Sequence, residues 1–381
     1  MKISTCFAIA GFCTASLINI QALAGGEVSF AAPAIYPTGD CPQSFELEDL
    51  NRDGKLDLIV ANRWSDTISV LLGKWDGTFK PRTDFQAGAE PINMTMADVN
   101  RDGKIDVLTS NVGNNTISVL LGKGDGTFKQ KIDYPTGRYP DGIATGDINR
   151  DGRPDLLIAN AFDNTASVML GNGKGVFQPR VDYAAGNYPF MVGANDLNRD
   201  GKSDLVVSNY HGGTISILLG KWDGTFKPSV EYPSGDRPAA SVADVNRDGK
   251  LDLVTSNQES DTVSVLLGKW DGTFRPRMTF NTGAFPYFAV VGDVNRDGKP
   301  DVVTSNYYDH SVSVLLGRGN GSFKPKMDFP TSNAPYRVRL ADVNRDGKLD
   351  VVTGDIGNQG CNTHINVISV LINTGRKPDA E

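Results

Sequence analysis

The chain has 381 residues, a formal net charge of −7, 39% hydrophobic residues and 42 glycines. A length of this order would ordinarily mean two or three domains, and the acidic balance argues against a nucleic-acid partner held by phosphate charge. The glycine content suits a turn-rich all-β chain with a sizeable core.

At the N-terminus Lys2 is the only charge before Glu27. An apolar stretch runs from Ile3 to Ile20, and Ala22-Leu23-Ala24 offers a small-residue cleavage site, so residues 1–24 read as a signal peptide. The run is short and broken by Ser and Thr, which disfavours a membrane anchor, and no other stretch is long enough to span a bilayer. Phe12 stands where a lipoprotein box before Cys13 needs a small residue. The expectation is a secreted, extracellular protein, periplasmic if the source is bacterial.

From residue 26 onward the chain repeats itself. The string Asp-x-Asn-Arg-Asp-Gly-x-x-Asp begins at Asp49, Asp98, Asp147, Asp196, Asp244, Asp293 and Asp342, in steps of 48 or 49 residues. A Thr-Ile-Ser-Val-Leu-Leu-Gly run keeps the same beat from Thr67, followed by a turn and a Phe: Phe79, Phe128, Phe177, Phe226, Phe274 and Phe323. A Pro precedes each acidic loop by a strand's length, at Pro42, Pro91, Pro140, Pro189, Pro238, Pro286 and Pro335. Each repeat reads as four short strands. Strand A leads into the acidic loop, strand B leaves it, strand C is the Ser-Val-Leu-Leu run, and strand D starts at the Thr-Phe. Four strands per repeat of this length point to an all-β propeller with four-stranded blades.

The ends decide between a closed ring and an open stack. The last repeat supplies strands A, B and C, ending near Ile372, and lacks a Thr-Phe strand. The chain start has one with nothing before it, Gly26-Glu27-Val28-Ser29-Phe30, with Phe30 on the beat. The N-terminal strand is therefore expected to complete the last of seven blades, removing the free sheet edges. The propeller then spans 25–372 and leaves 373–381 as a short tail. Cys41 and Cys361 fall in loops beside this closure and are expected to form a disulfide that locks it.

The acidic loops carry oxygen side chains at positions 1, 3, 5 and 9, a Gly at position 6 for the sharp turn, and a carbonyl to offer at position 7. The expected metal ligands are Asp49, Asn51, Asp53, Lys55 and Asp57 in the first loop, and Asp98, Asn100, Asp102, Lys104 and Asp106 in the second. The third has Asp147, Asn149, Asp151, Arg153 and Asp155; the fourth Asp196, Asn198, Asp200, Lys202 and Asp204. The fifth has Asp244, Asn246, Asp248, Lys250 and Asp252; the sixth Asp293, Asn295, Asp297, Lys299 and Asp301; the seventh Asp342, Asn344, Asp346, Lys348 and Asp350. The Lys or Arg of each set would act through its backbone carbonyl. Such all-oxygen sites suit Ca²⁺, up to seven ions, better than Mg²⁺ or Zn²⁺. Flanking strand periodicity and the lack of a Glu at position 12 separate the loops from an EF-hand. The ions would be structural, clamping strand A to strand B. Arg at position 4 and Lys or Arg at position 7 read as charge balance, with a basic ring for anionic polymers as the alternative.

These paired strings, acidic loop and Val-Leu-Leu-Gly-x-x-Asp-Gly-Thr-Phe, resemble FG-GAP/VCBS repeat proteins, which include the N-terminal propeller of integrin α subunits. The resemblance covers about residues 26–372. It implies a seven-bladed propeller, calcium in the A–B loops, and adhesion or recognition through the opposite face. The Phe-Gly and Gly-Ala-Pro cores are degenerate here, with Gly283-Ala284-Phe285-Pro286 the nearest echo, and no inserted ligand-binding domain is present.

The opposite face would be built from B–C and D–A loops, where the repeats differ most. The B–C loops offer Trp64, Phe162, Tyr210, His211, Tyr307, Tyr308 and His310 as candidate ligand-binding residues, and the D–A loops add Tyr139, Tyr188, Phe285 and Tyr336. Trp75, Trp222 and Trp270 in the C–D turns are expected to pack beside the acidic loops. Across the ring closure Arg339 is expected either to pair with Glu46 or to be a solvated residue lining the channel. The leading expectation is a binding or adhesion module, a monomer, for a protein or carbohydrate ligand. A polysaccharide lyase at the channel mouth, using His211, Tyr307 and His310 as acid–base groups, and a multivalent lectin are the alternatives.

Overall fold

In the computed structural model, residues 28–356 and 366–375 are described. The segment read as a signal peptide, Cys361 and residues 376–381 therefore lie outside the described residues.

Strand B of every blade is buried along its whole length, because both of its faces meet other blades; strand C is nearly so. Its Val, Ile and Leu runs carry no polar alternation for that reason. Strand D, at the rim, shows the exposed pattern of an edge. The first blade pairs Pro42–Glu48, Asp57–Asn62, Thr67–Leu71 and Thr83–Gln86 in that order, all antiparallel. Six sheets follow chain order in this way. The seventh joins Pro335–Ala341, Asp350–Asp355 and Val367–Leu371 to Ala34–Pro37 from the chain start. The protein is an all-β propeller of seven four-stranded blades closed by its N-terminal strand.

One boundary differs from the sequence reading. The Gly-Thr-Phe segment does not begin strand D. Phe79 makes a single bridge to Gly73, and the regular strand starts at Thr83. The Phe is an anchor: Phe128 meets Phe85 of the preceding blade edge-on at 5.2 Å, and Phe177 meets Tyr134 likewise at 5.5 Å. Phe30 repeats the arrangement at the closure, bridging Asn373 and meeting Phe329 edge-on at 4.9 Å.

The hydrophobic core lies between blades rather than at the ring's centre. Phe45, Leu47, Leu58 and Phe79 of blade one share a cluster with Val343, Val352 and Ile368 of blade seven and with Tyr36. The closure is thus packed like any other blade interface. Arg339 Nε donates to Glu46 Oε2 at 3.0 Å, and a second guanidinium N–H meets Oε1, the paired alternative.

Candidate functional site

Each acidic loop is a tight turn whose carboxylates first serve its own backbone. In the first loop Asp49 accepts the N–H groups of Asp53 and Gly54, and Asn51 accepts that of Asp53. Arg52 sits at φ 60° and Gly54 at φ 79°, the left-handed pair that reverses the chain. The position-9 carboxylate is fully buried and bridges two segments: Asp57 accepts from Leu50 N at 3.0 Å and from Gly73 N at 2.8 Å. In blade seven Asn373 N takes the place of that glycine, at 2.7 Å from Asp350. Burial pushes Asp57 up to about 7 despite these N–H groups, and Asp53 and Asp49 add like-charge repulsion.

The position-7 cation answers the position-5 carboxylate in all seven loops: Lys55 with Asp53, Lys104 with Asp102, Arg153 with Asp151, Lys202 with Asp200, Lys250 with Asp248, Lys299 with Asp297 and Lys348 with Asp346. Burial tends to raise Asp53, but the ammonium and N–H of Lys55 outweigh it, and its pKa falls below the ordinary value. With side chains so placed, no three carboxylates close on one point among the described residues. Oxygen is nevertheless left over. Oδ1 of Asp147, Asp196 and Asp342, all at position 1, is buried without a hydrogen-bond partner among the described residues. Uncompensated buried carboxylate oxygen is what a hard cation satisfies, so the donor set fits calcium chemically.

The position-4 arginines link neighbouring blades. Arg345, Arg150 and Arg199 lie over Trp75, Trp222 and Trp270 of the next blade at 4.7, 5.4 and 4.4 Å, and each indole meets the position-7 lysine of its own loop on another side. The three Trp thus pack beside the acidic loops, as expected, although Trp75 and Trp222 stay 63% and 64% exposed.

On the opposite face the aromatic residues form a connected arc. Phe162 stacks on Tyr139 at 4.6 Å, Tyr139 neighbours Tyr188, and Tyr188 meets Tyr210 and His211 at 5.8 and 4.5 Å. Tyr210 touches Phe190, which leads through Phe288 to Tyr287 and Tyr336. Phe285, Tyr307 and Tyr308 pack on the Tyr287 end. The structure therefore places Phe162, Tyr210 and His211 toward one end of the arc and Tyr307 and Tyr308 at the other. Among the described residues no ring contact joins Trp64 or His310 to the arc.

The arc surrounds a cavity of about 220 Å³ at the channel mouth, lined by Gln43, Arg63, Ile92, Tyr139, Asp141, Tyr188, Phe190, Tyr210, Tyr287 and Tyr336. Arg63 is bound through Nε and Nη2 to Glu90 Oε2 at 2.9 and 2.7 Å. Beneath lies Arg337, 3% exposed, donating to the Gln43 carbonyl at 3.1 Å with its guanidinium 4.5 Å from the Phe288 ring. Burial and the neighbouring Arg339 lower its pKa to about 10.

The sequence reading missed Asp141, and it missed a buried polar column. Asn62 at the end of strand B accepts Gly39 N and donates to Thr67 and Ser69, whose hydroxyl reaches Asp84 of strand D. Asn160 and Asn257 repeat the donations to strand C, and Asp355 replaces the amide in blade seven, held by Ser332 and Ser369. An Asn one repeat apart at each strand-B end was the available signal.

The FG-GAP-like repeat family matches the chain six times in overlapping units, over residues 49–109, 98–158, 151–207, 196–255, 244–304 and 293–353. No curated protein matches the sequence. Solved structures share the fold at low identity. A lectin of Agrocybe aegerita, described for specific recognition of non-reducing terminal N-acetylglucosamine, is 17% identical, with 88% of this chain and 86% of that one covered and a TM-score of 0.57. BBS1N, solved in complex with ARL6DN, is 10% identical, covering 92% and 98% at a TM-score of 0.63. Virginiamycin B lyase from Staphylococcus aureus is 16% identical, covering 90% and 99% at 0.60.

Proposed function

The chain belongs to the FG-GAP-like repeat family, and on that premise we propose that it is an exported, calcium-clamped recognition module that binds a protein or glycan through the face opposite its acidic loops. The observation that carries this reading is the connected aromatic arc from Phe162 to Tyr336, ringing a cavity at the channel mouth. Aromatic rims offer large contact area at small entropic cost, to sugars and to peptides alike. Propellers of the same shape include one that recognises a sugar and one crystallised with a protein partner.

Calcium would bind through the carboxylates at positions 1, 5 and 9, the Asn at position 3 and the position-7 carbonyl. Its role is to supply positive charge to buried oxygens such as Asp147 Oδ1. The position-5 carboxylate would then exchange its lysine for the ion. Export rests on the sequence of residues 1–24, and the Cys41–Cys361 disulfide on the loop positions that the repeat pattern gives the two cysteines.

A glycan, polysaccharide and peptide binding screen in calcium tests the reading. Substituting Tyr188→Ala and Phe162→Ala removes binding of the ligand found, whereas Trp222→Ala on the loop face leaves it intact. The opposite pattern would place recognition on the loop face and overturn the reading.

A further inference from the structure

The residue following the strand-A proline has a special position in the ring. Strand A is bulged there in most blades: its register with strand B skips from Pro42 to Ser44, Pro91 to Asn93, Pro140 to Gly142, Pro189 to Met191 and Pro335 to Arg337. A bulged residue leaves the ladder, and its side chain is re-aimed. Here six of the seven blades turn one such side chain toward the cavity. Gln43, Ile92, Asp141, Phe190, Tyr287 and Tyr336 all line the cavity, and all follow such a proline.

Within this column Asp141 is the single carboxylate. It is 8% exposed, and its carboxylate has no hydrogen-bond partner among the described residues. Burial drives its pKa up to about 7, with Arg337 and then Arg63 pulling the other way. The charged groups that face it are those two arginines, with Glu90 behind Arg63. Glu90 neutralises Arg63 through two hydrogen bonds, and Arg337 lies beneath the lining rather than in it. The tyrosines around Asp141 are neutral, since burial raises the pKa of Tyr139, Tyr188, Tyr287 and Tyr336. Asp141 is thus the one carboxylate on the cavity wall; Arg63 is matched by Glu90, and Arg337 beneath the wall offsets part of its charge. Around it stand Tyr139, Tyr188 and Tyr210, whose ring faces attract a cation through their quadrupoles.

We infer that the channel mouth is a receptor pocket for a compact organic cation, an ammonium group held by the Asp141 carboxylate and caged by the surrounding tyrosines. A hydrated metal ion would lack oxygen partners here, since one carboxylate is far short of the six to eight oxygens calcium takes. An ammonium needs only one anion and aromatic walls. The inference rests on the reading of this face as the recognition surface and names the chemical group it takes.

Titration calorimetry of the full exported chain with choline tests it, with choline's neutral isostere, in which carbon replaces the nitrogen, as control. An Nα-acetylated lysine amide, run in parallel, separates a lysine ammonium from a free quaternary one. Choline or the lysine derivative binds, and the neutral isostere does not. Asp141→Asn weakens that binding at least about tenfold, while its melting temperature, no lower than the parent's, reports an intact fold. Affinity also falls as pH drops from about 8 to about 5.5, because protonation removes the carboxylate charge. Equal binding of the isostere, undiminished binding to the Asp141→Asn chain, or no binding of either cation at millimolar concentration overturns the inference. A ligand from the wider screen that still depends on Tyr188 and Phe162 would then leave the face as the recognition surface and refute only its cation specificity.

Discussion

Asp141 illustrates a side chain placed against its own stability. Its carboxyl keeps a proton to about pH 7 in the folded chain, against an ordinary value of 3.8, because burial penalises the charge. The unfolded chain therefore releases that proton first, and stability falls as pH rises from about 4 to about 7 and stays lowered above. Asp141→Asn removes this dependence. The variant is expected to melt higher than the parent at about pH 8, with the advantage shrinking toward pH 5. A difference in melting temperature that does not change with pH would contradict this. Nothing in the local sequence Tyr139-Pro140-Asp141-Gly142 marks the residue as buried; only the bulge, a tertiary feature, turns it into the channel. By contrast, the Arg339–Glu46 pair was legible as one of two alternatives, because repeat spacing sets the two residues on adjacent innermost strands.

At the scale of the element, each blade is held by polar ties as well as by its apolar layers. Asn160 accepts Gly137 N at 3.0 Å and donates to Thr165 and Ser167 at 3.1 and 2.6 Å, with only the Thr165 bond part-buried. Asn160→Ala leaves these partners unsatisfied and is expected to cost about 2–4 kcal/mol, read by denaturant unfolding. A loss below about 0.5 kcal/mol would show that water or neighbours replace the amide. Strands A, B and C were legible, since a proline, an acidic loop and an unbroken Val/Ile/Leu run bound them. Strand D was placed too early. Its four residues are half exposed and weakly patterned, whereas the Phe before it carries the strong signal for a different reason, contact with the preceding blade.

For the whole molecule, closure is the device on which the fold turns. The Ala34–Pro37 strand covers the edge of Val367–Leu371, and Phe30 fills the Phe329 interface. A chain beginning at residue 38 would expose that edge. It is expected to melt lower and to self-associate at higher protein concentration, seen by gel filtration, because an open edge invites pairing. A monomer of unchanged melting temperature would contradict it. The blade count and the closure were legible in the repeat spacing and in Phe30 alone. The aromatic face was legible only as a set of aromatic residues, because which rings meet is decided by loops from different blades.

The seven acidic loops, three of which bury a carboxylate oxygen without a partner among the described residues, are held to be cation sites that stiffen one face of the ring while the other recognises its ligand. Calorimetric unfolding of the chain in millimolar calcium, against the same chain after exhaustive chelation, tests this most directly. The account predicts a melting temperature several degrees or more higher with calcium, rising with its concentration as binding to the folded state requires. Superimposable transitions in calcium and in chelator would contradict it.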